Sequence, residues 1–249
     1  MKAVIVSAAI APLQAQPSAG SEQVSQRLAG HRLTVVEERE PWMRVRGADD
    51  YEGWVHRGYV ETEGSTPYQR QRTSLGAVIR DARGWPCPMP LGAILPDDAR
   101  LESGDAVDAA ELAQRFPRDA DAIVRSAVRH FAGAPYQWGG ITPWGADCSG
   151  LVQTIYALHG IDLPRDASQQ AGVGTPLELP PKALSAADLL FFSDRPDRRI
   201  THVAISLGGP RLVHLALGRG GYRVEDLTDA GDPYVKALLG RYLFARRVV

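Results

Sequence analysis

Two stretches near the middle of the chain, Tyr136-Gln-Trp-Gly-Gly and Asp147-Cys148-Ser149-Gly150-Leu151-Val152, decide how its C-terminal half is interpreted. The second stretch is a polar turn followed directly by an apolar run, which predicts a helix over residues 148–158. A thiol at a helix N-terminus lies beside unpaired backbone N–H groups and the positive end of the helix dipole. We therefore expect a lowered pKa for Cys148 and a thiolate that can act as a nucleophile.

Two histidines follow in strand-like segments. His202 opens the run Thr201-His-Val-Ala-Ile205, and His214 lies in a second run after the turn Gly208-Gly209-Pro210. A hairpin through that turn places the two imidazoles side by side on one face of a sheet. One cysteine and two histidines on separate elements form a candidate nucleophile, base and orienting group.

The C-terminal region, residues 118–249, combines helices with strands. Apolar residues at helical spacing predict a helix over 119–131, with Asp119 or Asp121 as its N-cap. The predicted strands are Asp188–Phe192, His202–Leu207, Arg211–Leu215 and Leu243–Val249. Helices followed by an antiparallel sheet predict the α+β class.

The N-terminal region has short strands separated by turn residues, which is typical of small β-barrels. In residues 1–64 the predicted strands are Val4–Val6, Arg32–Glu37, Trp42–Arg46 and Gly53–His56, with Trp54 in the core and Gly53 allowing a close approach beside it. Residues 65–117 repeat this style less clearly and are interpreted as a second, degenerate barrel.

Composition excludes several function classes. Of the 249 residues, 44% are apolar and 23% are charged, and the formal net charge of −1 gives no field that would recruit nucleic acid or an anionic membrane. No segment approaches the ~20 apolar residues of a membrane-spanning helix. The two cysteines, Cys87 and Cys148, cannot form a disulfide framework and have no zinc-ligand spacing. We therefore expect no metal or other cofactor, and a monomer.

Six motifs, in order, resemble the NlpC/P60 family of cell-wall cysteine peptidases, a branch of the papain-like enzymes. They are Tyr136-Gln-Trp-Gly-Gly, Asp147-Cys-Ser-Gly-Leu, Leu163-Pro-Arg-Asp166, Ala187-Asp-Leu-Leu-Phe191, Thr201-His-Val-Ala-Ile205 and Leu212-Val-His214. The resemblance covers residues 118–249. It implies that Cys148 is the nucleophile, His202 the general base, and His214 the residue that orients His202.

The first barrel resembles bacterial SH3 (SH3b) domains through Arg32-Leu-Thr-Val-Val-Glu, Trp42-Met-Arg-Val-Arg and Asp50-Tyr-Glu-Gly-Trp-Val-His. An SH3b region before an NlpC/P60 domain is similar to the γ-D-glutamyl-L-diamino acid endopeptidases, which cut murein peptides with a free N-terminal L-Ala. The substrate residues that this resemblance implies are Tyr51, Tyr136, Asp147, Ser149, Arg165 and Ser168.

The resemblance implies a role for each of these residues. Tyr51 and Asp147 would bind the L-Ala ammonium, for which a carboxylate and an acceptor oxygen suit the charge. Tyr136 would line that pocket or assist at the oxyanion. Ser149 would donate a hydrogen bond, and Arg165 would support the region that holds the γ-D-Glu carboxylate. The family often has serine at position 167, where this chain has alanine, so Ser168 is the candidate replacement.

The resulting expectation is a peptidase for L-Ala-γ-D-Glu-L-diamino acid peptides, with lysine or diaminopimelate as the third residue. Two alternatives stay open: an amidase or acyl transferase on the same fold, and a non-catalytic protein that binds wall peptides. An intact set of Cys148, His202 and His214 argues against the last of these.

The N-terminus admits two interpretations. Residues 1–16 mimic a weak secretory signal, with Lys2 before a short apolar run. Residues 3–11 also fit a first β-strand ended by Pro12, and an SH3b barrel needs that strand. We therefore expect a cytoplasmic protein, in a compartment that keeps Cys148 reduced. Cleavage of residues 1–16 would instead predict export.

Overall fold

The computed structural model describes residues 2–62, 71–81, 83–96 and 98–249. The chain divides into two compact units, Met1–Arg115 and Phe116–Val249. The predicted boundary between residues 64 and 65 lies outside the described residues, and the division into three domains stays a prediction.

The N-terminal unit begins with a seven-stranded antiparallel sheet. Its strands are β1 (Ala3–Val6), β2 (Ile10–Gln14), β3 (Gln23–Leu28), β4 (Arg32–Arg39), β5 (Trp42–Arg46), β6 (Glu52–His56) and β7 (Val60–Thr62), with a 3-10 turn at Arg57–Tyr59. They are ordered β3-β2-β6-β5-β4-β1-β7. Alternate residues of these strands point inward and form one apolar core.

The strand predicted over Val4–Val6 forms within β1, but the interpretation of residues 3–11 as a single strand is wrong. Residues 3–11 form two strands, β1 and β2, because the chain turns between Val6 and Ile10. Pro12 does not end a strand but lies inside β2. It is tolerated there because β2 pairs with β6 only through Gln14, so the missing N–H leaves no ladder bond unmade on that side.

Trp54 is buried, as predicted, with 6% of its surface exposed. Gly53 beside it allows a close approach to β2, since a Cβ at this position would lie 2.8 Å from the Cβ of Leu13. Glycine is therefore needed at position 53 for β2 and β6 to meet.

In its described residues, the rest of the N-terminal unit contains six further short strands and one helix. These are β8 (Arg72–Ser74), β9 (Val78–Arg80), β10 (Pro86–Pro88), β11 (Ile94–Leu95), β12 (Leu101–Ser103), β13 (Ala106–Asp108) and α1 (Ala109–Arg115). They form two three-stranded sheets, ordered β10-β9-β12 and β11-β8-β13. The backbone of Ile94 donates to the Ala29 carbonyl at 2.8 Å, which joins this region to the first barrel. Its assignment as a second SH3b domain stays a prediction.

The C-terminal unit contains four helices and eight strands. The helices are α2 (Ala120–Phe131), α3 (Cys148–Leu158), α4 (Ala167–Gln170) and α5 (Pro233–Gly240). The strands are β14 (Ile141–Thr142), β15 (Gly145–Ala146), β16 (Thr175–Leu177), β17 (Ala186–Phe192), β18 (His202–Gly208), β19 (Arg211–Ala216), β20 (Gly221–Asp226) and β21 (Tyr242–Arg247), and 3-10 turns lie at Pro181–Ala183 and Leu217–Arg219.

Six of these strands form an antiparallel sheet ordered β16-β21-β17-β18-β19-β20. Strand β17 is buried along almost its whole length because both faces of the sheet are covered. Helices α2 and α3 pack against β17 and β18. On the opposite face, Leu190 and Ala204 share an apolar cluster with Val235 and Leu238 of α5. The predicted α+β class is confirmed.

Local sequence signals explain why α2 begins where it does. Asp119 is its N-cap, and the Asp119 carboxylate accepts a hydrogen bond from the Ala122 N–H at 2.9 Å. Of the two predicted caps, the structure therefore selects Asp119.

Candidate active site

Cys148 is the first residue of α3, and only 7% of its surface is exposed. The backbone N–H groups of Val203 and Ser149 donate toward its sulfur. Because Val203 directly follows His202, the first of these contacts places the thiol against the start of β18. The helix that carries the thiol and the strand that carries the first histidine therefore meet at the sulfur.

The environment of the Cys148 sulfur raises its pKa to about 12. Burial is the largest cause and the Asp147 carboxylate is the second, while the two N–H donors and the Arg165 guanidinium act in the opposite direction. The sequence-based expectation of a lowered pKa is wrong because desolvation of a thiolate in a closed site outweighs the helix N-terminus. The thiol is protonated at neutral pH, and a thiolate forms only if a neighbouring base takes the proton.

His202 and His214 lie on one face of the sheet. Ile205 pairs with Val213, so His214 is opposite Ala204, two residues from His202 along β18. The Nε2 atom of His202 lies 2.9 Å from the Nδ1 atom of His214. The predicted side-by-side arrangement is confirmed, and the Nδ1 atom of His202 is left as the nitrogen available to the thiol.

Burial lowers the pKa of both imidazoles. For His202, positive charge on His214 and Arg241 lowers the pKa further. For His214, the Glu225 carboxylate raises the pKa, but less than burial lowers it. Both rings are therefore neutral at pH 7, and a neutral His202 is able to accept a proton.

Three residues predicted to bind substrate form one buried cluster. The Asp147 carboxylate pairs with the Arg165 guanidinium through two contacts of 3.0 and 2.7 Å. It also accepts the N–H groups of Gly139 at 2.9 Å and Gly150 at 2.7 Å. The Ser149 hydroxyl donates to Asp147 at 3.1 Å and accepts from Arg165 at 2.8 Å. These contacts cap α3 and neutralise the Asp147 charge, while the substrate roles of the cluster stay predictions.

The other three predicted substrate residues lie in different settings. Tyr136 is half-buried, and its pKa is raised by burial and then by the charges of Cys148 and Asp147. Ser168 is exposed in α4. Tyr51 belongs to the N-terminal unit, where it lines a groove of about 380 Å³ on the first barrel. Their roles toward substrate also stay predictions.

Glu225, a buried carboxylate in β20, belongs to none of the sequence motifs. It lies opposite Leu212 in the neighbouring strand, on the face that carries His214. The Glu225 Oε1 atom is 3.6 Å from the His214 Nε2 atom, and Arg219 donates to both carboxylate oxygens at 2.7 and 3.1 Å. A sequence signal for β20 does exist, because a turn at Gly220 is followed by alternating apolar and polar residues. This alternation predicts which side chains of β20 share a face with His214.

Two further properties concern only the part of the chain that the structure describes. There, no group of three or more His, Cys, Asp or Glu side chains is arranged to hold a metal ion. None of the helices in the same part combines the length and the apolar character needed to cross a membrane.

Comparisons with known proteins agree with this arrangement. The NlpC/P60 family profile matches residues 133–237, and the bacterial SH3 domain profile matches residues 11–61. Dipeptidyl-peptidase 6 of Lysinibacillus sphaericus is 30% identical over 267 aligned positions, which cover 94% of this chain and 94% of the relative. The γ-D-glutamyl-L-lysine dipeptidyl-peptidase of Bacillus subtilis strain 168 is 29% identical, over 86% of this chain and 78% of the relative.

A crystal structure of an NlpC/P60 family protein from Bacillus cereus ATCC 10987 has the same fold. The TM-score is 0.80, the alignment covers 99% of each chain, and the sequences are 19% identical. The fold and the site define a hydrolase of the peptidase class. The chain belongs to the NlpC/P60 family and carries a bacterial SH3 domain in its N-terminal unit.

Proposed function

We propose that this peptidase hydrolyses the γ-D-glutamyl–L-diamino acid bond of short murein peptides that carry a free N-terminal L-Ala. In this proposal Cys148 is the nucleophile, His202 the general base and His214 the residue that orients His202. The names of the two relatives that align over most of this chain, a γ-D-glutamyl-L-lysine dipeptidyl-peptidase and a dipeptidyl-peptidase, support this substrate class.

The observation that carries the proposal is the geometry at the start of β18. The Cys148 sulfur accepts the Val203 N–H, and His202, the residue before it, contacts His214 at 2.9 Å. The thiol thus lies beside the backbone of the residue after His202, and the two imidazoles are in contact, which supports the proposed order of nucleophile, base and orienting residue.

The reaction proceeds in two steps. His202 takes the thiol proton, and the Cys148 sulfur attacks the γ-carbonyl carbon of D-Glu. The tetrahedral intermediate collapses when the C–N bond breaks, and His202 returns the proton to the leaving amine of the diamino acid. Water, deprotonated by His202, then cleaves the thioester and releases L-Ala-γ-D-Glu with the free thiol.

The oxyanion forms beside the first turn of α3. The Cys148 N–H at the start of this helix is positioned to donate to it, and the helix dipole favours its negative charge. We propose the hydroxyl of Tyr136, whose raised pKa keeps it protonated, as a second donor to the oxyanion.

Peptide cleavage followed by mass spectrometry tests the proposal. The substrates are L-Ala-γ-D-Glu-L-Lys and its diaminopimelate counterpart, each with a free and an acetylated N-terminus. We expect L-Ala-γ-D-Glu to be released from the free-amine peptides only. Cys148→Ser abolishes release, whereas the matched control Cys87→Ser, at the other free cysteine, leaves it unchanged.

The remaining outcomes separate the alternatives. Equal cleavage of the acetylated peptides would keep the cysteine peptidase but discard the requirement for a free N-terminal amine. Products joined to an added amine would indicate acyl transfer instead of hydrolysis. If wild-type protein and Cys148→Ser gave the same products at the same rate, a non-catalytic role would replace the proposal.

We further propose that the protein works in the cytoplasm on free murein peptides. The support is that β1 and β2 are paired strands of the first barrel, so cleavage after residue 16 would remove both. N-terminal sequencing of the native protein tests this proposal, since a start near Pro17 would contradict it.

A further inference from the structure

Three neighbouring strands each place one side chain in a row on the same face of the sheet. These are His202 in β18, His214 in β19 and Glu225 in β20. The two imidazoles lie 2.9 Å apart, and the His214 Nε2 atom is 3.6 Å from the Glu225 Oε1 atom. The row begins at the candidate base, His202, and ends at the Glu225 carboxylate. Glu225 takes no part in the reaction steps proposed for Cys148 and His202.

The chemistry of Glu225 determines where the protons in this row lie. An ionised carboxylate only accepts hydrogen bonds, and Arg219 together with His214 keeps the Glu225 pKa below its ordinary value. Among the described residues the buried His214 Nε2 atom makes no hydrogen bond, and Glu225 Oε1 lies just beyond hydrogen-bond distance at 3.6 Å. The negative charge of the carboxylate favours a hydrogen on this nitrogen, which leaves His214 Nδ1 as an acceptor. His202 then donates from Nε2, and its Nδ1 lone pair is free.

This orientation matters because only one of the two tautomers of His202 can act as a base toward the thiol. With the hydrogen on Nε2, the Nδ1 atom accepts the Cys148 proton. With the row reversed, Nδ1 would already carry the hydrogen and would have no lone pair with which to accept the Cys148 proton. The Glu225 carboxylate, which is separated from His202 by His214, therefore selects the tautomer of His202 that can accept the thiol proton.

Glu225 is itself held in place from two sides. Arg219, in the turn between β19 and β20, contacts both carboxylate oxygens and also pairs with Asp232, the N-cap of α5. The Arg219 guanidinium lies 4.3 Å from the ring centroid of Tyr234, and that ring also packs edge-on against His214. The carboxylate is 7% exposed, so these contacts restrict its position.

We propose that Glu225 is a positioning residue that sets the tautomers of His214 and His202, and that Arg219 and Asp232 hold it in place. This role rests on the proposed function only in taking Cys148 and His202 as the reacting pair. Glu225 does not touch the thiol or the substrate, so its effect reaches the reaction through the two imidazoles.

The direct test is the position of the ring protons in the wild-type protein. Long-range ¹H–¹⁵N NMR on histidine-labelled protein reports which nitrogen of each ring carries hydrogen, and single His→Asn variants assign His202 and His214. We expect hydrogen on Nε2 of both rings at pH 7. Hydrogen on Nδ1 of His214 would overturn the proposal, whatever any variant does.

The second test is Glu225→Gln, with Glu178→Gln as a matched control at an exposed glutamate of the same unit. Glutamine removes the obligatory acceptor, so both proton arrangements become accessible. We expect mixed tautomers, and a fall of about ten- to a hundredfold in kcat and in the rate of Cys148 alkylation by iodoacetamide. We expect the KM of Glu225→Gln to equal that of the wild-type protein. The Glu178→Gln variant should match the wild-type protein in kcat, KM and alkylation rate.

Alkylation is measured in a Cys87→Ser background so that Cys148 is the one reacting thiol. If Glu225→Gln had the same tautomers and the same rates as the wild-type protein, the proposed role of Glu225 would be refuted. If that variant fails to fold by circular dichroism, the wild-type NMR result decides. Because NMR and alkylation use no peptide, a failure of murein-peptide cleavage with the expected tautomers would discard the proposed substrate and leave the role of Glu225 intact.

Discussion

The buried ion pair between Arg165 and Asp147 allows a sharp prediction about stability. Arg165 is 1% exposed and is among the largest fully buried side chains of the described residues. Arg165→Met keeps an unbranched side chain of similar length but removes the charge. We expect this change to destabilise the C-terminal unit strongly, because it leaves the Asp147 carboxylate buried without its counter-charge.

The contacts of the carboxylate give the size of the effect. Arg165 supplies two of the donors to Asp147, at 3.0 and 2.7 Å, and Gly139, Gly150 and Ser149 supply the others. Hydrogen bonds to charged groups contribute about 1.5–3 kcal/mol each, so losing two costs roughly 3–6 kcal/mol, and broken buried pairs typically cost about 3–5 kcal/mol. The neutral donors that remain favour the lower part of that range.

Urea unfolding of the full chain, read by hydrogen–deuterium exchange over peptides from residues 116–249, measures the loss in this unit. Arg195→Met is the matched control: it breaks an ion pair whose side chains are 56% and 46% exposed, and such pairs contribute at most about 1 kcal/mol. We also expect Asp147→Asn to rescue part of the loss in the Arg165→Met background. A loss below about 1 kcal/mol, equal to the control, would refute this reasoning.

Three further predictions concern pH and backbone packing. The pKa of His202 is lowered, and His202 must be neutral to act as the base. We therefore expect kcat/KM to be constant from pH 8 down to 6.5 and to fall only below pH 6.5. A fall in kcat/KM centred above pH 6.5 would contradict this prediction. Burial lowers the pKa of His31 from 6.5 to about 4, so its protonation favours the unfolded chain. Stability of the N-terminal unit is then complete above pH 6.5 and should drop as pH falls toward 4, by roughly 1–2 kcal/mol at pH 5 in urea unfolding, and His31→Gln should remove that slope. Gly150→Ala should lose both activity and thermal stability, since its Cβ would lie 2.0 Å from the Gly140 carbonyl oxygen; Gly240→Ala, with open space around its Cβ, should lose neither.

Local signals predicted most of the elements that form the site. The apolar period and the Asp119 cap located α2, and the polar turn before an apolar run located α3. The turn at Gly208-Gly209 located the hairpin that brings the two histidines together. These signals work because caps, turns and alternation depend on residues close in sequence. The same reasoning failed at residues 3–11, where a turn inside an apolar run has no local marker.

By itself the sequence determined the α+β class, the order of α2, α3, β17, β18, β19 and β21, and the pairing of His202 with His214. Only the tertiary structure decided the pKa of Cys148 and the presence of Glu225 behind His214. The reason is physical: the pKa of a thiol and the partners of an imidazole depend on which distant segments exclude water and which charges they bring. Cys148 is covered by a strand more than fifty residues away, and no local pattern encodes that contact.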